Sequence, residues 1–277
     1  MATARVGISG WRYPPWRGEW YPKGLPQRRE LEYSSSRLGS IELNGSFYSL
    51  QRPASYLAWY DETPEGFVFS VKGGRFITHL KRLNDVDDAL ANFFASGVLA
   101  LREKLGPVLW QLPERHEFDA GQLERFFSTL PRTTSEALKL ARRHDARLDD
   151  RAWLHEQPER PIRHALEARH PDFIGERVAG LLRANDIGFV IADTAGRWPQ
   201  NRDITSDFVY VRLHGAEELY ASGYTDEALD AWAADARGWL ESGRDVYIYF
   251  DNDMKVRAPF DALALARRLG LAESLVE

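Results

Sequence analysis

The chain has 277 residues, 44% of them hydrophobic, with no cysteine and a formal net charge of −5. This length suits one (β/α)8 barrel, and the hydrophobic content is sufficient for a sizeable core. The lack of cysteine excludes disulfides, thiolate metal sites and a cysteine nucleophile. The acidic balance argues against a general polyanion-binding surface.

The amino-terminal segment MATARVGIS has neither the basic region nor the apolar stretch of a signal peptide. The longest apolar stretch, around Phe93 to Leu101, is too short to span a bilayer. We therefore expect a cytoplasmic protein without a membrane partner. The oligomeric state stays open.

Eight short runs, several of them rich in Val, Ile, Phe and Tyr, predict β-strands. In chain order these are Arg5–Ser9, Ser40–Asn44, Phe67–Lys72, Pro107–Leu112, Arg163–Arg169, Gly188–Asp193, Phe208–His214 and Asp245–Phe250. Helical patterns between them cover Asp85–Lys104, Ala120–Leu130, Gly175–Ala184, Asp226–Glu241 and Phe260–Leu269. Strands that alternate with helices predict parallel βαβ units. The sequence therefore predicts an α/β fold, a single (β/α)8 TIM-barrel-like domain over residues 1–277.

Two segments depart from the regular repeat. Residues 194–207 have no helical pattern, so we expect an irregular crossover between the sixth and seventh strands. Residues 132–162 are charged and rich in His and Arg, which predicts an insertion between the fourth and fifth strands with helical turns around Glu136–Arg143. We interpret it as an elaboration over the barrel, with a solvated surface excursion as the simpler alternative.

Charged residues fall late in several strands and on one alternating face. Glu167 shares a face with Arg169, and Arg212 shares one with His214. Because the opposite, apolar face packs on helices, these side chains are expected in the mouth at the carboxyl ends of the strands, where barrel enzymes hold their chemistry. A buried unpaired charge is very costly, so an internal salt-bridge network is the alternative interpretation.

The residue types suggest roles at this mouth. Two carboxylates in different environments are able to serve as acid and base, and histidine carries protons near neutral pH. The predicted catalytic residues are Glu42, Glu167, His214 and Lys72. The predicted substrate-binding residues are Trp11, Asn44, Tyr48, His79, Gln111, Arg169, His170, Asp193, Arg212, Tyr224, Asn252 and Asp253. Arg169, Arg212 and Lys72 would hold a carboxylate or phosphate.

The first loop, GWRYPPWRGEWYP, interleaves five aromatic residues with two arginines. Such a loop suits a stacking wall for a ring or base, whereas the alternative is a hydrophobic lid. We expect stacking from Trp11, which directly follows a strand, and burial of Trp16 and Trp20. No GxSxG elbow or Walker-type loop is present, and neither Ser9 nor Ser70 has a recognisable base partner.

Metal binding is weakly indicated. The chain has ligand types on different strands, but no HxH or HExxH motif. Neighbouring lysine and arginine side chains would also repel a cation. We predict no cofactor and keep a divalent metal as an alternative.

In combination, the motifs GISGWRYPPW, SIELNGSFY, FSVKGGRFITH, GPVLWQLP, ALEARH, ADT, FVYVRLHG and VYIYFDND resemble the YecE-like family, domain of unknown function 72. The resemblance runs from about Val6 to Ala262 and implies a TIM-barrel-like fold, but no reaction. The family's pattern carries onto Glu42, Asn44, Phe47, Tyr48, Lys72, His79, Gln111, Pro113, Glu167, Arg169, His170, Asp193, Arg212, His214, Gly215, Asn252 and Asp253. The chain departs from the pattern at Phe173, where Trp is usual, and at Asp261, where Asn is usual.

Three functions remain open at this point. The favoured one is an enzyme, with hydrolase as its candidate class, that uses acid–base chemistry on a small anionic substrate. The second is a metal-dependent phosphodiesterase that acts on nucleic acid and resembles barrel-fold endonucleases, which the net charge disfavours. The third is a non-catalytic binding or regulatory module, because a fold does not determine a function.

Overall fold

A computed structural model describes residues 1–271 and has the α/β, TIM-barrel-like fold predicted from the sequence. The strands are β1 (Ala4–Ser9), β2 (Ser40–Leu43), β3 (Val68–Lys72), β4 (Leu105–Gln111), β5 (His164–Glu167), β6 (Ile187–Phe189), β7 (Ile191–Asp193), β8 (Phe208–Leu213) and β9 (Asp245–Phe250). The α-helices are α1 (Glu30–Ser35), α2 (Gly45–Tyr48), α3 (Pro53–Asp61), α4 (Asp87–Ala95), α5 (Ala120–Thr129), α6 (Thr134–Ala141), α7 (Glu176–Ala184), α8 (Asp226–Glu241) and α9 (Ala258–Arg268). The strand order in the sheet is β6-β5-β4-β3-β2-β1-β9-β8-β7.

Seven of the eight predicted strands agree with the structure to within two residues at each end. The sixth, predicted as Gly188–Asp193, is divided at Val190 into β6 and β7. Side chains of the crossover segment bond to the backbone at this break: the Phe189 amide donates to Thr205 Oγ1 (2.8 Å), and Asn201 Nδ2 donates to the Val190 carbonyl (3.2 Å). These bonds satisfy the buried backbone groups that the interrupted ladder leaves.

The crossover itself is irregular, as predicted, and residues 194–207 contain no helix. The long helix predicted over Asp85–Lys104 is wrong. Helix α4 stops at Ala95, Gly97 takes a left-handed φ of 117°, and Val98–Lys104 continues as 3-10 turns. A Cβ at Gly97 would lie 2.7 Å from the Pro53 backbone, so this close approach requires glycine.

The described residues form two compact units, each discontinuous in sequence. The first comprises Met1–Glu42, Thr63–Val68 and the chain from Gly188 onward. In this unit β1 pairs in parallel with β2 and with β9, and β8 pairs with β7 and β9. Helix α9 packs on β1 and on α8. The Thr225 hydroxyl accepts a hydrogen bond from the Ala228 amide, which caps α8 where the sequence predicts its start.

The second unit comprises Leu43–Glu62 and Phe69–Ile187. Its core centres on the fully buried Trp110, whose ring lies 5.6 Å from that of Phe93 and 5.3 Å from that of Phe126. The predicted insertion, residues 132–162, belongs to this unit and contains α6 and an antiparallel bridge between Thr133 and Pro161. Helix α6 packs against α4.

Candidate functional site

The predicted site residues lie at the carboxyl ends of strands or in the loops that follow them. Those in the first unit are Trp11, Glu42, Asp193, Arg212, His214, Tyr224, Asn252 and Asp253. Those in the second unit are Asn44, Tyr48, Lys72, His79, Gln111, Glu167, Arg169 and His170. Each unit contains its own charged cluster, and the formal net charges of the two clusters have opposite signs.

In the first unit, Glu42 is fully buried and makes four side-chain hydrogen bonds. Its Oε1 accepts from Ser9 Oγ (3.0 Å) and Arg212 Nη2 (2.8 Å). Its Oε2 accepts from Tyr210 OH (2.6 Å) and Arg212 Nε (3.0 Å). The guanidinium and carboxylate thus form a two-point ion pair of the strong, geometrically specific type. We call Ser9, Glu42, Arg212, His214 and Asp251 the Arg212 cluster.

Asp251 extends this cluster from β9. Its Oδ2 accepts from Arg212 Nη2 at 2.9 Å and lies 3.1 Å from Nδ1 of His214. Nη1 of Arg212 lies 3.3 Å from His214 Nε2. Because a guanidinium only donates, Nε2 accepts and the ring proton of neutral His214 is on Nδ1, facing Asp251. His214 is fully buried, with Arg212 beside Nε2 and Asp251 beside Nδ1.

Asp253 lies two residues beyond Asp251 and is partly buried. Burial, followed by the negative charge of Asp251, raises the pKa of Asp253 to about 6. A hydrogen bond with the Tyr13 side chain opposes part of this shift. A carboxyl group with a pKa near 6 is able to exchange a proton close to neutral pH.

Asn252 organises the loop that follows β8. Its Nδ2 donates to the Ser222 carbonyl (2.9 Å) and to Asp261 Oδ2 (2.8 Å). Asp261 also accepts from the Tyr224 amide (3.2 Å), and the Tyr224 hydroxyl accepts from the Gly215 amide (3.2 Å). Asp261 therefore anchors this loop as a hydrogen-bond acceptor.

Asp193 ends β7 and lies beside Tyr224. The carboxyl group of Asp193 is partly buried, and burial raises its pKa. The Tyr224 side chain hydrogen-bonds to it and opposes the shift. Tyr224 therefore holds both Asp193 and the Gly215 amide at the carboxyl ends of β7 and β8.

The aromatic residues of the first loop are mostly buried. Trp11 is 6% exposed and Trp16 is fully buried. The Trp11 carbonyl accepts from Tyr21 OH at 2.6 Å, and Trp20 Nε1 donates to Ser34 Oγ at 3.1 Å. Trp16 and Trp20 are thus buried as expected, whereas a stacking role for Trp11 stays a prediction.

In the second unit, Lys72 ends β3 with its ammonium 4.5 Å from the centre of the Phe47 ring. This is a cation–π distance. The Lys72 carbonyl accepts from Ser46 Oγ (2.6 Å), which ties the loop after β2 to the end of β3. Lys72 is 8% exposed, so its charge is held in a largely buried position.

Glu167 ends β5, and Arg169 follows it two residues later, beyond the end of the strand. Arg169 Nε donates to Glu167 Oε1 at 2.8 Å, and Glu167 is 1% exposed. In the register of β4 with β5, Gln111 lies opposite Glu167. Asn44 follows β2, and its Oδ1 is buried without a hydrogen-bond partner among the described residues.

His79 lies in a π-helical turn after β3 and is half buried. Burial, followed by the positive charges of Lys72, Arg169 and Arg75, lowers its pKa to about 4 against the opposing effect of Glu167. The ring of His79 is therefore neutral at pH 7. Lys72, Arg75 and Arg169 are thus cationic neighbours of His79, and Glu167 is an acidic one. We call Lys72, Arg75, His79, Glu167 and Arg169 the Lys72 cluster.

Two other predicted binding residues lie nearer the surface of this unit. Tyr48 is 76% exposed at the end of α2. His170 is partly exposed and caps the turn Pro171–Phe173 by accepting from the Asp172 amide at 3.3 Å.

A family model described as "Protein of unknown function DUF72" matches residues 5–276. The chain belongs to the DUF72 family. The UPF0759 proteins YunF of Bacillus subtilis and YecE of Escherichia coli K12 are 30% identical over 113 residues and 27% identical over 108 residues. Both matches cover 39% of this chain, and they span 39% and 37% of the two relatives. A crystal structure of a DUF72 protein from Thermotoga maritima has a TM-score of 0.79 and 24% identity, covering 97% of this chain and 99% of that one.

Two features of this DUF72 protein were not expected from the sequence. Ser9 was expected to have no base partner, which is wrong, because its hydroxyl donates to Glu42. Asp251 was missed, although its position directly after β9 is the same strand-end signal that marks Glu42 and Lys72. Its pairing with Arg212 depends on the register of β8 with β9, which opposes Leu213 to Phe250.

Within residues 1–271, no three or more His, Asp or Glu side chains are grouped so that they would hold a metal ion. No helix in the same part of the chain is long and apolar enough to cross a bilayer.

Proposed function

We propose that this DUF72 protein is an enzyme that carries out acid–base chemistry on a small substrate bearing a phosphate or carboxylate. The observation that carries the proposal is the Lys72 cluster, in which the Lys72 ammonium lies 4.5 Å from the Phe47 ring, His79 packs edge to face on the same ring, and Arg169 bonds to the buried Glu167. Lys72 lies at the carboxyl end of β3 and Arg169 lies two residues beyond β5, where barrel enzymes hold their substrates.

Within this proposal, Lys72 and Arg169 bind the anion and Glu167 takes up the proton. Lysine and arginine both bind phosphate, and the planar guanidinium also suits a carboxylate. Glu167 is nearly fully buried, and its contact with Arg169 at 2.8 Å orients the carboxylate.

The contacts of the Arg212 cluster favour different roles for residues that were expected to be catalytic or binding. The N–H groups of Arg212 are directed to Glu42, Asp251 and His214. Its guanidinium is therefore engaged within the protein, and we assign Arg212 and Glu42 to positioning.

The test combines ligand binding with turnover. Calorimetry should detect binding of inorganic phosphate or a carboxylate to the wild-type protein, and Lys72→Met should weaken it about tenfold or more. On any substrate found in a panel of phosphorylated and carboxylated metabolites, Glu167→Gln should lower kcat by roughly 10²- to 10⁴-fold, which is the usual contribution of a general base.

Two surface variants serve as matched controls. Lys139→Met and Glu124→Gln make the same chemical changes at exposed helix positions and should leave binding and turnover unchanged. The proposal fails if the wild-type protein binds none of these anions, or if Glu167→Gln turns over substrate at the wild-type rate.

A further inference from the structure

The second unit exposes large apolar side chains in a restricted region. They are Tyr48 (76% exposed), Phe76 (47%), Leu80 (66%) and Ile174 (50%). All four lie in segments that directly follow the carboxyl ends of β2, β3 or β5. Single exposed apolar residues are common, but their restriction to the loops beside one charged cluster calls for an explanation.

Phe47 connects these exposed apolar side chains to the Lys72 cluster. Its ring lies 5.1 Å from that of Tyr48 and 5.1 Å from that of His79, both edge to face. The Lys72 ammonium lies 4.5 Å from the same ring. A ligand whose charge meets Lys72 is therefore within one ring's width of an exposed aromatic surface.

We propose that the substrate of this site is an organic anion with a flat apolar group, aromatic in character. Its phosphate or carboxylate would bind at Lys72 and Arg169, and its ring would pack on Tyr48 and Phe47. This inference rests on the proposed function, because it assigns a substrate class to the same anion site.

The geometry favours a ring over an alkyl chain. Aromatic pairs gain energy from edge-to-face and offset contacts beyond the area that they bury, and Phe47 already holds Tyr48 and His79 in such contacts. His79 has a lowered pKa and is neutral, so its ring adds aromatic surface and no charge of its own. A substrate ring would thus meet three aromatic side chains beside a fixed positive charge.

The experiment compares methylphosphonate with phenylphosphonate by calorimetry. Both carry the same anionic group, neither has a phosphate ester to hydrolyse, and only one has a ring. We expect the phenyl compound to bind about two- to tenfold more tightly. Tyr48→Ala should remove most of that difference, so that the two phosphonates bind this variant with similar affinities. Tyr48→Phe, which keeps the ring, should retain the difference.

The possible results distinguish failure of the aromatic substrate class from failure of the proposed function. Equal affinities for the two phosphonates, or a preference that Tyr48→Ala leaves intact, would overturn the aromatic substrate class while the anion site stands. Failure of every anion to bind would overturn the proposed function and this inference together. Because Tyr48 is exposed, loss of folding is not expected to obscure the result.

Discussion

The Arg212 cluster shows how one buried carboxylate organises side chains from several strands. Ser9 from β1 and Tyr210 and Arg212 from β8 all donate to Glu42 on β2. With each carboxylate oxygen accepting two bonds, ionised Glu42 is compensated in a site that water does not reach. Removing Arg212 leaves the buried Glu42 without its cation, and removing Glu42 leaves Arg212 with Asp251 as a remaining carboxylate contact, whereas removing both members of the pair is less costly.

We therefore expect Glu42→Gln to lower the free energy of unfolding by about 3–5 kcal/mol. The double variant Glu42→Gln/Arg212→Met should be less destabilised than the sum of its two single variants, since it leaves neither member of the pair uncompensated. Urea unfolding of the four proteins measures this coupling.

The control for this prediction is an exposed ion pair. Glu176→Gln removes the partner of Arg183, and both side chains are more than 40% exposed. Its effect should stay below about 1 kcal/mol. Additive losses in the buried pair would show that Glu42 and Arg212 act independently, contrary to the geometry.

At the level of secondary structure, most elements follow from local patterns. Helix α8 was predicted over the same residues, Asp226–Glu241, because its cap and its apolar period both lie within the helix itself. The break between β6 and β7 was not predicted, since it depends on Asn201 and Thr205, which are distant in sequence. The end of α4 likewise depends on the approach of Pro53 to Gly97.

The same distinction applies to the candidate site, where local patterns predicted some contacts and tertiary packing determines the others. The predicted strand phase placed Glu167 beside Arg169 and Arg212 beside His214, because residues two apart on a strand share a face. It could not identify Asp251 as a partner of Arg212, because that contact needs the register between two strands. The exposure of Tyr48 and the burial of Trp11 also depend on tertiary packing, which the alternation of residues along a strand does not predict.

Gly7 gives a prediction about the pairing of β1 with β2. A Cβ at this position would lie 1.9 Å from the Ser40 carbonyl oxygen, which is backbone and has little freedom to move. Gly7→Ala should therefore separate the strands and destabilise the protein by several kcal/mol, in the range of severe overpacking. Thermal and urea unfolding, with the paired strands followed by amide hydrogen exchange, would measure the loss.

The matched control is Gly238→Ala in the interior of α8, where an added Cβ meets nothing within 4 Å. Alanine has the higher helix propensity, so this variant should be stabilised by about 0.5–1 kcal/mol. The same chemical change thus has opposite expected signs at the two sites. A neutral Gly7→Ala variant would contradict the close contact between β1 and β2.

For the molecule as a whole, membership of the DUF72 family and its fold describe architecture and leave the reaction open, since one fold supports many chemistries. Global stability nevertheless responds to individual buried groups, and His164 on β5 is one. Trp110 Nε1 donates to His164 Nδ1 (3.1 Å), so the ring proton is on Nε2, which donates to the Pro131 carbonyl (2.8 Å).

Protonation of His164 would place a second proton on Nδ1, against the Trp110 donor. Burial lowers the pKa of His164 to about 3, compared with about 6.5 in an unfolded chain. The unfolded state therefore binds the proton more readily. The stabilisation is fully present above about pH 6.5 and is lost as the pH falls from there towards 3.

We expect wild-type protein to lose about 3 kcal/mol of its free energy of unfolding through His164 between pH 7 and pH 4, at 1.36 kcal/mol per pH unit below pH 6.5. His164→Gln cannot take up this proton, so its stability should fall less steeply over the same range, whatever its stability at pH 7.

Asp253 has the opposite effect on stability, because its raised pKa of about 6 makes ionisation unfavourable in the folded state as the pH rises. The slope difference between wild type and His164→Gln removes this contribution, since both proteins retain Asp253. His155→Gln, at an exposed position, should keep the wild-type slope. Urea unfolding at a series of pH values decides the matter: parallel curves for wild type and His164→Gln would mean that His164 is not held neutral by Trp110 and Pro131.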